Sequence, residues 1–277
     1  SPVQNRTKPI EIPPIVNTGV HGFSQEYIGY MLGGSFRGSY VPLNENIING
    51  RIRGVAGVVG CNNARVKQDW VHVELVKELI KNDVLVLQTG CSQIALAKAG
   101  LTSPEAAVLA GPGLAEVCET VGMPPVLGIG ACVDNSRILL AATEMVKTGG
   151  LGDSIADLPA AGAAPEWMSE KAIAIGQYFV ASGVYTIFGV TFPIIEETKF
   201  HKLLFGGLEE RGFGKWGFTP DPYEMANMMI AHIDKKRKQP ASTRPASVSS
   251  PTWPIGAQST RLKSNCTDRL GARVHPP

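Results

Sequence analysis

Three runs of consecutive apolar residues, GVAGVVGCNN, DVLVLQTGCS and PPVLGIGACVDN, stand out from a chain whose other hydrophobic residues mostly recur at helical spacing. Each run has the length of a strand, reaches a glycine one or two places before a cysteine (Cys61, Cys91, Cys132), and gives way to a helical pattern. Unbroken apolar runs of this length read as strands buried on both faces, the signature of a parallel sheet with helical crossovers. The chain therefore repeats one strand–turn–helix unit, and the fold class it predicts is α/β: a Rossmann-like parallel sheet flanked by helices.

The periodic segments fill in the rest. Ser24 is placed to cap a helix, FSQEYIGYMLGG, with Tyr27, Ile28, Met31 and Leu32 as its apolar stripe and Gly33-Gly34 as its stop. A loop then leads through ENIINGRI to the first strand at about 54–59. After Cys61, residues 66–83 read as an amphipathic helix that turns Trp70, Val73, Val76, Leu79 and Ile80 to the sheet, and the second strand follows at 84–88. A short helix ends at Gly100, one or two more follow, and Pro124-Pro125 restart the chain into the third strand. Beyond it, a helix runs from Asn135 to Gly149, and DLPAAGAAP reads as a small-residue loop. EWMSEKAIAIGQYFVASG is a further helix, VYTIFGVTF a fourth strand, and PDPYEMANMMIAHIDKKRK a last helix capped by Asp221 or by the Pro-Asp-Pro at its start. The expected division is an extended leading segment over 1–18, a Rossmann-like cluster-binding domain over 19–238, and a disordered or non-native tail over 239–277.

Composition limits the class. A chain of 277 residues with 44% hydrophobic content can build one large core or two small ones. Its five cysteines are an odd number without the density of a disulfide scaffold. No stretch approaches a membrane span, and the default expectation is a cytoplasmic protein. The net charge of +2 hides an asymmetry: residues 235–277 hold nine Lys or Arg against one acid, so the body is acidic and gives no reason to expect nucleic-acid binding.

The candidate chemistry lies at the strand ends. In open α/β sheets ligands bind beyond the carboxyl ends of the strands, and three thiols at equivalent turns can share one soft ligand, an iron–sulfur or related metal cluster. The competing readings are three buried core cysteines or a disulfide. Helix starts lower a thiol's pKa, and all three cysteines are expected at such starts. Cys118 lies on the apolar face of a helix and reads as core; Cys266 lies in the tail. Lys171 falls in the first turn of a helix, where it can aim an ammonium at the same sheet edge or stand as a surface lysine, and Ile175 follows one turn later. His21, His72, His201 and His232 have no ligand-spaced partners and read as structural. A dinucleotide fingerprint is absent, because the first turn is GVVGCNN and the second strand ends in Gln88-Thr89-Gly90-Cys91.

The segments GVVGCNNARVKQDWVHVELVKELI, LQTGCSQIALAKAGL, GACVDNSRI and MSEKAIAIG, in that order, closely resemble the catalytic subunit of the anaerobic, nickel-containing carbon monoxide dehydrogenases. The resemblance runs over about residues 8–238 and implies the C-terminal, Rossmann-like domain of that subunit. By this resemblance Cys61, Cys91 and Cys132 are ligands of a nickel–iron–sulfur cluster, where CO and water become CO2, two protons and two electrons. Lys171 is then the charged group beside the open nickel position, stabilising negative charge by hydrogen bonding and helping protons move, and Ile175 lines the approach of the gas. The family draws its remaining cluster ligands, a histidine and two cysteines, from a central domain, and its additional 4Fe-4S clusters and a proton-transfer histidine from an N-terminal region. None of these has a counterpart here, so a fragment of such an enzyme is expected. Where the family often has His-Met, this chain has Gly128-Ile129. A homodimer and a ferredoxin-type electron acceptor are the implied partners. The rival readings are a hybrid-cluster, hydroxylamine reductase-like protein and a non-catalytic apo fragment.

Overall fold

The computed structural model describes residues 14–33, 38–190 and 198–238. All of them fall within one compact unit, residues 1–246. The expected tail over 239–277, Gly34, most of the leading segment and the end of VYTIFGVTF lie outside the described residues.

Six strands form one sheet in the order β3-β2-β1-β4-β5-β6, every pairing parallel. They are β1 (Gly54–Val58), β2 (Val84–Thr89), β3 (Val126–Gly130), β4 (Ala160–Ala164), β5 (Tyr185–Phe188) and β6 (Trp216–Phe218). β1 and β2 are buried at every position, as their unbroken apolar runs require. The order is that of a doubly wound sheet, whose topological switch point lies between β1 and β4.

Helices cover both faces. α1 (Gln25–Leu32), α2 (Val41–Ile48), α6 (Asn135–Thr148) and α7 (Glu170–Ala181) enclose, with one sheet face, a small apolar cavity of ≈ 40 Å³. α3 (Trp70–Lys81) and α9 (Pro222–Arg237) pack against each other; α3 and α4 (Gly90–Lys98) pack on β2, and α9 on β4 and β5. α5 (Pro112–Val121) buries Leu114, Val117 and Cys118, and the short α8 (Lys199–Lys202) precedes β6. The caps follow the sequence: the Ser24 hydroxyl accepts from the Tyr27 N–H, and the Asp221 carboxylate accepts from the Tyr223 and Glu224 N–H groups.

The structure corrects the reading at several places. The stretch taken as a small-residue loop contains β4, AAGAA, which pairs with β1 on one side and β5 on the other. Alanine and glycine carry little strand propensity; this strand is specified by its neighbours, since both of its edges are paired and its last four residues are buried. β6 is too short to show a period, and α2 occupies the end of a supposed loop, with Pro42 in its first turn. Trp70 is 38% exposed, whereas Val71, His72, Leu75, Val76, Leu79 and Ile80 are buried. The helix predicted from Glu166 begins at Glu170.

Candidate metal centre at the strand ends

The three cysteines leave β1, β2 and β3 at the same edge of the sheet, and the turns that carry them touch. Gly90, at φ +65°, occupies the left-handed region that favours glycine, and its Cα faces both neighbouring turns. A Cβ there would lie 3.2 Å from Cys132 Cβ and 3.4 Å from the Gly60 carbonyl oxygen. Cys61 and Cys132 are half-buried, Cys91 is exposed, and all three are free thiols.

The expectation that every cysteine opens a helix holds for two. Cys91 is the second residue of α4, and Cys132 opens a single 3-10 turn before α6. Cys61 instead starts a loop that reaches Trp70 before α3 begins. The expected depression of thiol pKa is reversed at Cys91: desolvation, and then the neighbouring Cys61 and Cys132 sulfurs, push it up. Three thiols this close resist carrying three negative charges unless a positive partner is present.

Lys171 supplies one positive charge from across the switch point. It is the second residue of α7, and its Nζ donates to Cys132 Sγ at 3.1 Å. That hydrogen bond and the charges at Cys132 and Cys61 raise the ammonium's pKa, so it stays protonated. Ile175, one turn further along α7, is partly buried and packs on the core.

Side chains that the sequence did not single out fix these turns. His72, fully buried on α3, donates from Nε2 to the Cys61 carbonyl at 2.8 Å, and burial holds its pKa below the usual imidazole range. The Thr89 hydroxyl donates to Asn135 Oδ1 at 2.5 Å, and Asn135 Nδ2 donates to the Cys132 carbonyl at 2.6 Å, tying the end of β2 to the third turn. Asp134 Oδ2 accepts from the Ala131 N–H at 2.9 Å, and its other oxygen takes Arg137 Nε at 3.1 Å. Glu166, completely buried just past β4, accepts from Asn62 Nδ2 at 2.9 Å, the Asp69 N–H at 3.1 Å and the Val71 N–H at 3.0 Å. The short CNN and VDN runs beside the cysteines were the available signal, since asparagine and aspartate bond to nearby backbone.

The departure at Gly128 also has a physical reason. A Cβ there would lie 2.5 Å from His21 Nδ1, so the absent side chain leaves room for the His21 imidazole. His21 bridges β3 at Gly128 and is hydrogen-bonded through Nδ1 to Gln93 Nε2 at 3.1 Å.

Among the described residues, no three His, Cys, Asp or Glu side chains stand close enough to hold a single metal ion. A polynuclear cluster makes a different demand, because each thiolate binds a different metal atom and the ligands stand further apart. Three soft sulfur donors on touching turns, close enough for their charges to act on one another, with an ammonium beside Cys132, fit such a group. Also among the described residues, no helix is long and apolar enough to cross a membrane.

The comparisons with known proteins agree on one family. Residues 3–223 match the Prismane/CO dehydrogenase family model. Carbon monoxide dehydrogenase 1 of Methanosarcina mazei is 50% identical over 229 residues, which cover 83% of this chain and 36% of that protein. The carbon monoxide dehydrogenase of Rhodospirillum rubrum is 37% identical over 238 residues, covering 82% and 37%. Among solved structures, the nickel-free, as-isolated carbon monoxide dehydrogenase from Thermococcus sp. AM4 superposes with a TM-score of 0.75 at 50% identity, over 79% of this chain and 34% of that one. Carbon monoxide dehydrogenase IV from Carboxydothermus hydrogenoformans gives 0.74 at 45% identity, over 78% and 36%. The chain thus spans about a third of the length of the relatives it matches.

Proposed function

The chain belongs to the Prismane/CO dehydrogenase family, and from that premise we propose that it serves as the cluster-facing, Rossmann-like portion of an anaerobic carbon monoxide dehydrogenase. The reaction is the oxidation of CO with water to CO2, two protons and two electrons. Cys61, Cys91 and Cys132 are the residues that hold the nickel–iron–sulfur cluster, which when bound supplies the sites for CO and water and takes up the two electrons. The observation that carries this reading is the convergence of three strand-end thiols with the Lys171 ammonium, 3.1 Å from Cys132 Sγ.

Each side chain then has a distinct task. The thiolates fix the cluster at the sheet edge, where the turns of β1, β2 and β3 set their spacing. Lys171 keeps a proton on Nζ beside them, offsets their negative charge, and donates hydrogen bonds to charge that develops on the substrate. The same Nζ can pass a proton on as the reaction releases two. Ile175, apolar and one turn away, lines the approach of an apolar gas. Because the chain covers about a third of its relatives, further cluster ligands and the electron-relay 4Fe-4S clusters belong to polypeptide beyond these 277 residues. A homodimer, a ferredoxin-type acceptor and a cytoplasmic location complete the proposal. The relatives named above are carbon monoxide dehydrogenases, which favours this reading over a hybrid-cluster protein.

Anaerobic reconstitution with iron, sulfide and nickel tests it. Metal and sulfide per chain are expected to fall in Cys61→Ala, Cys91→Ala and Cys132→Ala alike and to stay unchanged in Cys118→Ala. Uptake that ignores all three substitutions sinks the proposal.

A further inference from the structure

Resting on the reading of Cys61 as a cluster ligand, we propose that Glu166 is a positioning residue that fixes the Cys61 turn against the loop leading to Lys171. Glu166 is a fully buried carboxylate, a placement that is costly unless the charge is well hydrogen-bonded. Its three donors come from two places that matter to Cys61. Asn62, the next residue, donates from Nδ2, and the Asp69 and Val71 N–H groups belong to the start of α3. α3 in turn carries His72, whose Nε2 holds the Cys61 carbonyl. Cys61 is therefore gripped from both sides through one carboxylate.

A simple helix cap does not account for this arrangement. Asp69 stands at the N-cap of α3, yet its side chain caps nothing. It accepts from Asn62 Nδ2 at 2.9 Å and pairs with Lys98 on α4. The capping role has passed to a residue 97 positions further along the chain, where the positive end of the helix dipole also favours a carboxylate. The neighbouring contacts extend the grip toward Lys171. Asn63 Nδ2 donates to the Trp167 carbonyl at 2.7 Å, and the Trp167 indole donates to the Val190 carbonyl at 2.8 Å. The loop between β4 and α7 is thereby tied both to the Cys61 turn and to Val190, just past the end of β5.

The test compares alkylation rates of individual cysteines by iodoacetamide in the reduced 277-residue protein, followed by mass spectrometry. Glu166→Gln keeps the shape but sets an amide donor against an N–H donor. Asn62→Ala removes the arm beside Cys61, together with the Asn62 bond to the Asp69 carboxylate, and leaves the Glu166 bonds to the start of α3 in place. In both variants Cys61 is expected to react roughly fivefold faster, the equivalent of one lost hydrogen bond. Cys91 and the buried Cys118 are expected to keep their wild-type rates. An unchanged Cys61 rate in the folded variants, or a common rise at Cys61, Cys91 and Cys118, overturns the proposal; if Glu166→Gln fails to fold, Asn62→Ala decides. Alkylation needs no metal, so this outcome is independent of reconstitution: metal uptake that ignores the three cysteine substitutions counts against the cluster reading alone.

Discussion

Lys171 combines an exposed position with a fixed partner. A lysine free in solvent samples many rotamers, whereas this one points its Nζ at Cys132 Sγ. If the proposed function holds, replacing it with alanine lowers CO oxidation by the assembled enzyme about a hundredfold or more, the usual scale for losing one aimed charge or proton donor. Metal content is expected to hold, because Lys171 is not a ligand, and a parallel loss of iron would assign it a structural role instead. The cysteines and Lys171 were legible because their local contexts are distinctive: a strand-end glycine three times over, and the first turn of a helix. Glu166, His72 and Asn135 were not. Glu166 reaches partners 95 to 104 positions away and Thr89 meets Asn135 across 46, and nothing local marks a residue whose partner is so distant. His72 was read as structural, and its buried ring bonds the Cys61 carbonyl through Nε2.

Among the elements, β4 and α7 show how small residues place the site. α7 lies close to the sheet because Gly176 has no side chain, and a methyl there would run into the Phe188 ring on β5. Gly176→Ala gains about 1 kcal/mol of helix propensity but overpacks a filled contact, which costs about 1–3 kcal/mol. A net loss of stability is expected in urea titrations, together with a shift of the helix that carries Lys171 and Ile175. Gly57 on β1 faces the apolar cavity, and a Cβ there would meet Phe179 at 3.5 Å and Ile138 at 3.6 Å, ordinary contact distances. Gly57→Ala is therefore expected to stabilise by about 0.5–1 kcal/mol, chiefly by restricting the unfolded chain. Two glycine-to-alanine changes of opposite sign would show that packing, not residue type, decides. For the same reason β1, β2 and β3 could be read from their apolar runs, while AAGAA could not: its strand identity lies in the neighbours that pair with it.

For the whole molecule, burial beneath α9, on the sheet face that it shares with α3, sets an acid limit. His232 is buried against the Tyr185 ring. Desolvation, with Lys236, Lys215 and Lys235 outweighing Glu209, lowers its pKa to about 4. Its contribution is complete above the unfolded value near 6.5 and is lost as pH falls toward 4, because the unfolded chain takes up the proton first. Linkage sets the scale at about 3 kcal/mol. Between pH 7 and 4 the wild type is expected to lose more stability than His232→Gln by up to about that amount, as read from urea midpoints; parallel losses would refute the assignment.

The strand order has one more consequence, for the chain as it is made. The three sulfurs belong to β1, β2 and β3, which pair among themselves, whereas the ammonium arrives with α7, beyond β4. Cys132 leaves the ribosome 39 residues ahead of Lys171, an interval of roughly 2–8 s at ordinary elongation rates. During that interval the nascent polypeptide carries this chain's three strand-end thiols without their counter-charge. Any metal that meets the chain then encounters the thiols before the rest of their electrostatic setting exists, so the timing of metal delivery relative to translation becomes a property of the fold.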